Sequence, residues 1–126
     1  MKLHHLAFRC NDYQRVSLFY KNLFKLKEIF SQQEYSVWLK GSDDLVFMFE
    51  KAAPEEARPE SNNHELICFY AKTNEKKAMI DELKSQNIEI ESQTEKTIYF
   101  RDPENRKIGI SDFNFDEFIR NKNASR

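Results

Sequence analysis

The feature that most constrains the fold of this chain is a diverged internal repeat. Each half of the 126-residue sequence has a short apolar strand, an amphipathic helix and three further short strands, in that order. The segment starting at His5 aligns with the segment starting at Leu66 at an offset of 61 residues, and Phe47 aligns with Gly109 at an offset of 62. A single inserted residue accounts for this drift. The repeat predicts an α+β fold of two βαβββ modules. A chance pairing of two βα units is the alternative.

The local patterns place these elements along the chain. Asp12 is a good N-cap, and one helical face follows it, formed by Val16, Phe19, Tyr20, Leu23 and Phe24. The second helix is capped by Thr73 or Asn74, and Asn87 takes the left-handed position after its end. Alternating or apolar runs predict strands at 3–9, 27–31, 34–40, 44–50, 66–71, 88–90, 97–100 and 107–111.

The chain is long enough for one domain in which two small modules share a core. Module one covers about 1–50, and a linker rich in Pro, Glu, Ala, Ser and Asn covers about 51–62. Module two covers about 63–112, and a short helix or tail covers about 113–126. In that tail, one helical face carries apolar side chains that we expect to pack on the body or on a second subunit: Phe115, Phe118 and Ile119.

Charge and composition exclude several classes of protein. The 20 basic and 21 acidic residues are spread along the chain, so neither nucleic acid nor an anionic membrane is expected as a partner. No apolar run approaches the roughly 18 residues of a membrane span, and the start lacks an apolar signal core. We therefore expect a cytoplasmic protein, in which Cys10 and Cys68 are free thiols.

The order of the motifs resembles the vicinal-oxygen-chelate superfamily, which includes glyoxalases, bleomycin-resistance proteins and extradiol dioxygenases. The resemblance covers residues 3 to about 112 and is carried by His5-Leu-Ala-Phe8, Asp12, Phe19-Tyr-Lys-Asn-Leu-Phe24 and Phe100-Arg-Asp-Pro-Glu-Asn105. It implies a cup-shaped, glyoxalase-like fold. Lys25 replaces the family's glycine after the first helix. Asn105, which tolerates a positive φ, lies where the second turn lacks its glycine.

The resemblance also implies a divalent metal held by one residue from the first and the fourth strand of each module. Those positions in this chain are His5, Phe47, Leu66 and Gly109, of which only His5 can bind a metal. Strand alternation places Glu50 on the opposite face, and His64 about 6–7 Å along the strand from Leu66. No metal or other cofactor is therefore expected. A shifted divalent-metal site with His5 and His64 is the alternative.

The same register predicts what the cup contains. Its candidate pocket residues are His5, Arg9, Phe47, Phe49, Leu66, Cys68, Gly109 and, on the third strand, Trp38. Such a lining, mostly apolar and aromatic with a few polar groups, suits small organic ligands. The alternative is a filled core, in which His5 is an inward, hydrogen-bonded histidine and Cys68 a small buried thiol.

Three functions are consistent with these patterns. The first is a small-molecule binding protein that works as a homodimer without a catalytic metal, resembling the bleomycin-resistance proteins. The second is a metal-dependent lyase, isomerase or dioxygenase with a rearranged site. The third is an interaction protein whose cup is filled. The sequence leaves open whether the chain catalyses a reaction.

Overall fold

The computed structural model describes residues 1–124 and contains two four-stranded sheets. The first module consists of β1 (Leu6–Cys10), α1 (Tyr13–Phe24), β2 (Lys27–Gln32), β3 (Ser36–Lys40) and β4 (Val46–Lys51). The second consists of β5 (Leu66–Tyr70), α2 (Thr73–Ser85), β6 (Ser92–Gln93), β7 (Thr97–Arg101) and β8 (Lys107–Ser111), and α3 (Phe115–Ala124) follows. The sheet orders are β1-β4-β3-β2 and β5-β8-β7-β6, so both modules have the predicted βαβββ topology and the α+β fold is confirmed.

The first module buries one face of its sheet beneath α1. Asp12 caps this helix by accepting a hydrogen bond from the Arg15 amide at 3.1 Å, as its position predicted. The Tyr20 ring lies 5.0 Å from that of Phe49 and 6.3 Å from that of Phe47, measured between centroids, and all three side chains are at most 1% exposed. Burial of this aromatic surface stabilises the module.

The second module has the equivalent buried face. Its register pairs Ile98 with Ile110 and Phe100 with Ile108, and none of these side chains is more than 3% exposed. Helix α2 begins at Thr73, so its N-cap is Lys72 rather than Thr73 or Asn74. Its end follows the prediction, since Asn87 has a φ of 57° and satisfies a terminal carbonyl through its amide.

The prediction of a strand at 88–90 was wrong. That segment has no strand, and the edge strand β6 comes later, at Ser92–Gln93. The alternating apolar residues Ile88 and Ile90 are half-buried. Ile88 donates its amide to the Leu83 carbonyl at 2.9 Å, which closes the end of α2 instead of joining the sheet. The alternation of apolar residues over these three positions therefore reflects packing after a helix and not pairing in a strand.

The chain divides into two compact units whose boundary crosses the second module. One unit comprises Met1–Asn63 together with the β7–β8 turn, Asp102–Arg106; the other comprises His64–Arg101 and the chain from Lys107 onward. The turn is held in the first unit by the Asp102 carboxylate, which is inaccessible to solvent and accepts the Tyr20 hydroxyl at 2.9 Å. Asn105 has a φ of 73°, so it adopts the left-handed conformation that glycine usually takes in such a turn.

The C-terminal helix is longer and more exposed than the sequence indicated. It continues to Ala124, whereas fraying was expected from residue 121, and residues 125 and 126 lie outside the described part of the chain. Its apolar side chains Phe115, Phe118 and Ile119 are 70%, 51% and 53% exposed. Within residues 1–124, no helix is long and apolar enough to cross a membrane.

Candidate functional site

The structure corrects the face on which the fourth strand presents its side chains. Phe47 and Phe49 were predicted to line the cup with His5. They instead pair with Leu6 and Phe8 and pack beneath α1 on the buried face of the first sheet. The exposed face carries the alternate residues, including Met48. Because side chains alternate along a strand, an error of one residue in the repeat alignment moved every fourth-strand side chain to the wrong face.

The strand register shows where the alignment failed. Phe47 pairs with Leu39 in the first sheet, and Ile108 pairs with Phe100 in the second, so β3 and β4 correspond to β7 and β8 at an offset of 61. The offset is 62 at the left-handed residues Lys25 and Asn87, and it is still 62 between the edge strands β2 and β6. The extra residue after α2 is therefore compensated before β7, and the counterpart of Gly109 is Met48.

With the register corrected, Glu50 lies on the same face of the first sheet as Arg9. The two residues pair in the β1–β4 register, and the Arg9 guanidinium lies 3.0 Å from the Glu50 carboxylate and 2.7 Å from that of Glu56. The Arg9 hydrogen bonds and an amide donated by Ala53 lower the pKa of Glu56 to about 2. Arg9 was a candidate pocket residue, but two carboxylates already pair with its guanidinium.

The four positions that the family resemblance assigns to a metal do not fit one here. With Met48 in place of Phe47, they are His5, Met48, Leu66 and Gly109. Only His5 offers a nitrogen ligand, and a thioether is a poor ligand for hard divalent ions. A Cβ atom built on Gly109 would lie 3.0 Å from both Leu66 Cδ1 and Cys68 Sγ. Any side chain at position 109 would therefore require Leu66 or Cys68 to shift by a few tenths of an ångström.

The two histidines proposed for a shifted site have other neighbours. The His5 ring packs against Trp38 with 5.1 Å between centroids, and its Nδ1 lies 2.8 Å from Nδ1 of His4. The Nδ1 atom of His64, which is exposed, lies 3.2 Å from the ammonium of Lys107. Among residues 1–124, no group of three His, Cys, Asp or Glu side chains is arranged to hold a metal ion.

Trp38 lies on the exposed face of the first sheet, whereas the sequence did not determine which face its side chain would take. Its register partners are Met48 on β4 and Phe30 on β2, and His5 packs against its ring. The Trp38 indole Nε1 is buried and has no hydrogen-bond partner among the described residues. This cluster is therefore aromatic and lies on the exposed face of its sheet.

A cavity of about 740 Å³ lies in the second unit, between the exposed face of the second sheet and the start of α3. Cys68 and Tyr70 of β5 form one side, and Phe113 and Phe115, which flank the start of α3, form another. Tyr70 is 56% exposed and the Phe113 ring lies 5.1 Å from that of Phe115. The cavity is open to solvent and its walls are mainly apolar, as in sites for small organic ligands.

The polar groups of this cavity are few. Lys96, Thr97 and Ser111 lie along one part of the wall, and Asp116 lies in the first turn of α3. The Thr97 and Ser111 hydroxyls are 2.9 Å apart and hydrogen-bonded to each other. The Ser111 oxygen also accepts the Phe113 amide at 3.2 Å.

The segment leading into α3 is fixed by a buried ion pair. The Lys76 ammonium, on α2, lies 3.0 Å from the Asp112 carboxylate and donates to the Lys96 carbonyl at 2.9 Å. Hydrogen bonds from Lys76 and from the Thr73 hydroxyl lower the pKa of Asp112. Helix α2 and the segment at Lys96, whose carbonyl also accepts the Asp112 amide, therefore hold the residue that precedes Phe113.

Of the candidate pocket residues, Cys68 alone lines this cavity. It is exposed, unlike the small buried thiol of the filled-core alternative, and partial burial raises the pKa of its thiol, with no cation lowering it. The thiol is therefore not activated as a nucleophile. Cys10 is buried, which raises the pKa of its thiol to about 11, and both cysteines are free.

Sequence reasoning missed the part of this site that follows β8. Phe113 and Phe115 were assigned to a tail, although an aromatic pair directly after the last strand indicated an apolar surface next to the sheet. What the sequence does not reveal is that the Lys76–Asp112 ion pair holds the start of α3 beside β5 and β8.

Solved structures similar to this one include a protein complexed with Mn(II). A mutant of the fosfomycin resistance protein FosX from Listeria monocytogenes, complexed with Mn(II) and 1S,2S-dihydroxypropylphosphonic acid, matches with a TM-score of 0.79 and 16% identity over 96% of this chain and 97% of that one. A glyoxalase/dioxygenase from Nostoc punctiforme matches with a TM-score of 0.72 and 18% identity, covering 86% and 88%.

A lactoylglutathione lyase from Agrobacterium tumefaciens has a TM-score of 0.68 and 19% identity, covering 87% of this chain and 92% of its own. At such identities these likenesses establish the fold alone. No curated protein sequence matches the chain significantly. The model of the Glyoxalase/Bleomycin resistance protein/Dioxygenase superfamily matches residues 2–109. With the repeat, the two βαβββ modules and the motif order in agreement, the chain belongs to this superfamily.

Proposed function

We propose that this protein binds a small, largely apolar or aromatic molecule without a catalytic metal, and that the cavity of the second unit is the binding site. The observation that carries the proposal is the filled ligand position at Gly109. Gly109 has no side chain to bind a metal, and Leu66 and Cys68 lie against the position of its missing Cβ atom, while the same sheet carries an apolar cavity of about 740 Å³ a few residues farther along β5 and β8.

Apolar contact is expected to dominate affinity for such a ligand. Burial of apolar surface contributes roughly 25 cal/mol per Å² before the costs of association. The exposed aromatic side chains Tyr70 and Phe115 present this surface in the absence of ligand. The protein is further proposed to act as a cytoplasmic homodimer, for which the exposed apolar residues of α3 provide contact area.

Thermal-shift screening of aromatic and apolar compounds tests the binding proposal. Tyr70→Ala should weaken any binder about tenfold, because roughly 1.4 kcal/mol of ring contact is lost. Tyr35→Ala is the matched control, since Tyr35 is 63% exposed on the β2–β3 hairpin of the first unit. Absence of any binder, or an equal loss in both variants, would contradict the proposed site.

A metal-dependent reaction is the second candidate, favoured by the Mn(II) complex of FosX. It is separated from the first by metal analysis of protein purified without chelators. Our proposal predicts well below one equivalent of zinc, nickel, manganese or iron. Near-stoichiometric metal that is lost in His5→Ala would establish the enzymatic alternative, with His5 as a ligand.

A further inference from the structure

We infer that the ligand of the second-unit cavity carries an anionic acceptor group, such as a carboxylate, on an aromatic or apolar body. This inference rests on the proposed function, because it concerns the same cavity. It comes from the polar groups of the wall, which offer two kinds of hydrogen-bond donor close to aromatic side chains.

The first donor is the hydroxyl pair of Thr97 and Ser111. These two hydroxyls have two protons between them, and one proton is used in their mutual hydrogen bond of 2.9 Å. The other proton remains available whichever residue donates, since the additional bond at Ser111 is received from the Phe113 amide. The pair therefore offers one donor in the cavity wall, where an oxygen of the ligand can accept it.

The second donor is the ammonium of Lys96, which precedes Thr97 in the chain and also lines the cavity. No carboxylate lies within 4.0 Å of it in the part of the chain that the structure describes, residues 1–124. The nearby Asp112 carboxylate is held by Lys76 and Thr73 instead. Lys96 therefore has no close ion-pair partner among these residues and lies beside an available hydroxyl proton, and this pairing suits a carboxylate.

One carboxylate opposes this arrangement. Asp116 also lines the cavity, but it is exposed and lies in the first turn of α3, where the helix dipole stabilises its negative charge. It contributes one carboxylate at the other wall. A ligand with a cationic group would pair with Asp116 and leave both donors of the opposite wall unused, whereas an anionic ligand can be bound by both donors.

The aromatic walls define the rest of the ligand. Tyr70 stands on β5, in register with Ser111 on β8, and Phe113 and Phe115 follow at the start of α3. A planar ring placed among them would make stacking or edge contacts while its acid group reaches Ser111 and Lys96. The geometry points to planar aromatic acids as the ligand class.

The test compares three probes of the same shape by isothermal titration: 2-naphthoic acid, 2-naphthamide and 2-naphthylmethylamine. Wild type should bind the acid about five- to tenfold more tightly than the amide, a modest ratio because Lys96 is exposed. Lys96→Met should abolish this difference by weakening only the acid. The exposed Lys77→Met on α2 is the matched control and should retain it.

The hydroxyl pair is tested by the double variant Thr97→Val with Ser111→Ala, because either hydroxyl alone keeps a free proton. This variant should weaken acid and amide alike, since both carry an acceptor oxygen. Equal wild-type affinity for acid and amide, tighter binding of the amine, or full affinity in the double variant would overturn the inference while leaving the proposed function intact. If no naphthyl probe binds wild type, the proposed function fails instead.

Discussion

Because Phe47 and Met48 lie on opposite faces of β4, their truncation should lower the free energy of unfolding by different amounts. Phe47 is 1% exposed and its ring lies among those of Phe8, Tyr20 and Phe49 at centroid distances of 6.0, 6.3 and 6.4 Å. Phe47→Ala removes a fully buried ring from this cluster and leaves a cavity. Such truncations cost about 3–5 kcal/mol, which is a large part of the roughly 5–15 kcal/mol stability of a typical domain.

Met48 is the matched comparison, because it is the next residue but lies half-exposed on the other face. Met48→Ala should cost about 1 kcal/mol or less, since its side chain has no buried aromatic cluster around it. Urea denaturation followed by circular dichroism measures both values, and the slope with denaturant should stay unchanged. If Met48→Ala costs as much as Phe47→Ala, the register that assigns Met48 to the position equivalent to Gly109 is wrong.

Two further predictions concern Gly109 and Glu56. Gly109→Leu should lower the free energy of unfolding by about 1–3 kcal/mol, because the new side chain must displace Leu66 and Cys68. A urea midpoint equal to that of wild type would show that this space is empty. The pKa of Glu56 is lowered from 4.5 to about 2 by Arg9, so its contribution to stability is complete above 4.5 and is lost as the pH falls towards 2. The stability difference between wild type and Glu56→Gln should shrink over that range, and a difference that grows would contradict the pairing.

The fold was predictable because its signals are redundant. The helical face that includes Val16 and Tyr20, the cap at Asp12 and the left-handed Asn87 each depend on a few neighbouring residues. Their order repeats, so an error in one element leaves the topology unchanged. The missing strand at 88–90 illustrates this, since β6 still occupies the same place in the sheet order.

The site was less predictable because it depends on the register of the strands. A register error of one residue moves every side chain of a strand to the other face, and no other signal in the sequence corrects it. One extra residue after α2, compensated before β7, left the topology intact but reversed the predicted faces of Phe47 and Glu50. Arg9 was correctly placed on the exposed face, yet its partners Glu50 and Glu56 could not be anticipated. The cavity wall at Phe113 depends on tertiary packing around Asp112, which no local pattern encodes.

The most direct test of the central claim uses the two free cysteines. Cys68 is exposed in the wall of the cavity, whereas Cys10 is fully buried, so a maleimide reagent at pH 8 should label Cys68 selectively. A ligand found in the thermal-shift screen, added at about three times its Kd for wild type, should slow this labelling severalfold, and the protection should be much smaller in Tyr70→Ala but retained in Tyr35→Ala. A ligand that stabilises the protein and leaves the labelling rate of Cys68 unchanged would show that binding occurs elsewhere and would contradict the proposed site.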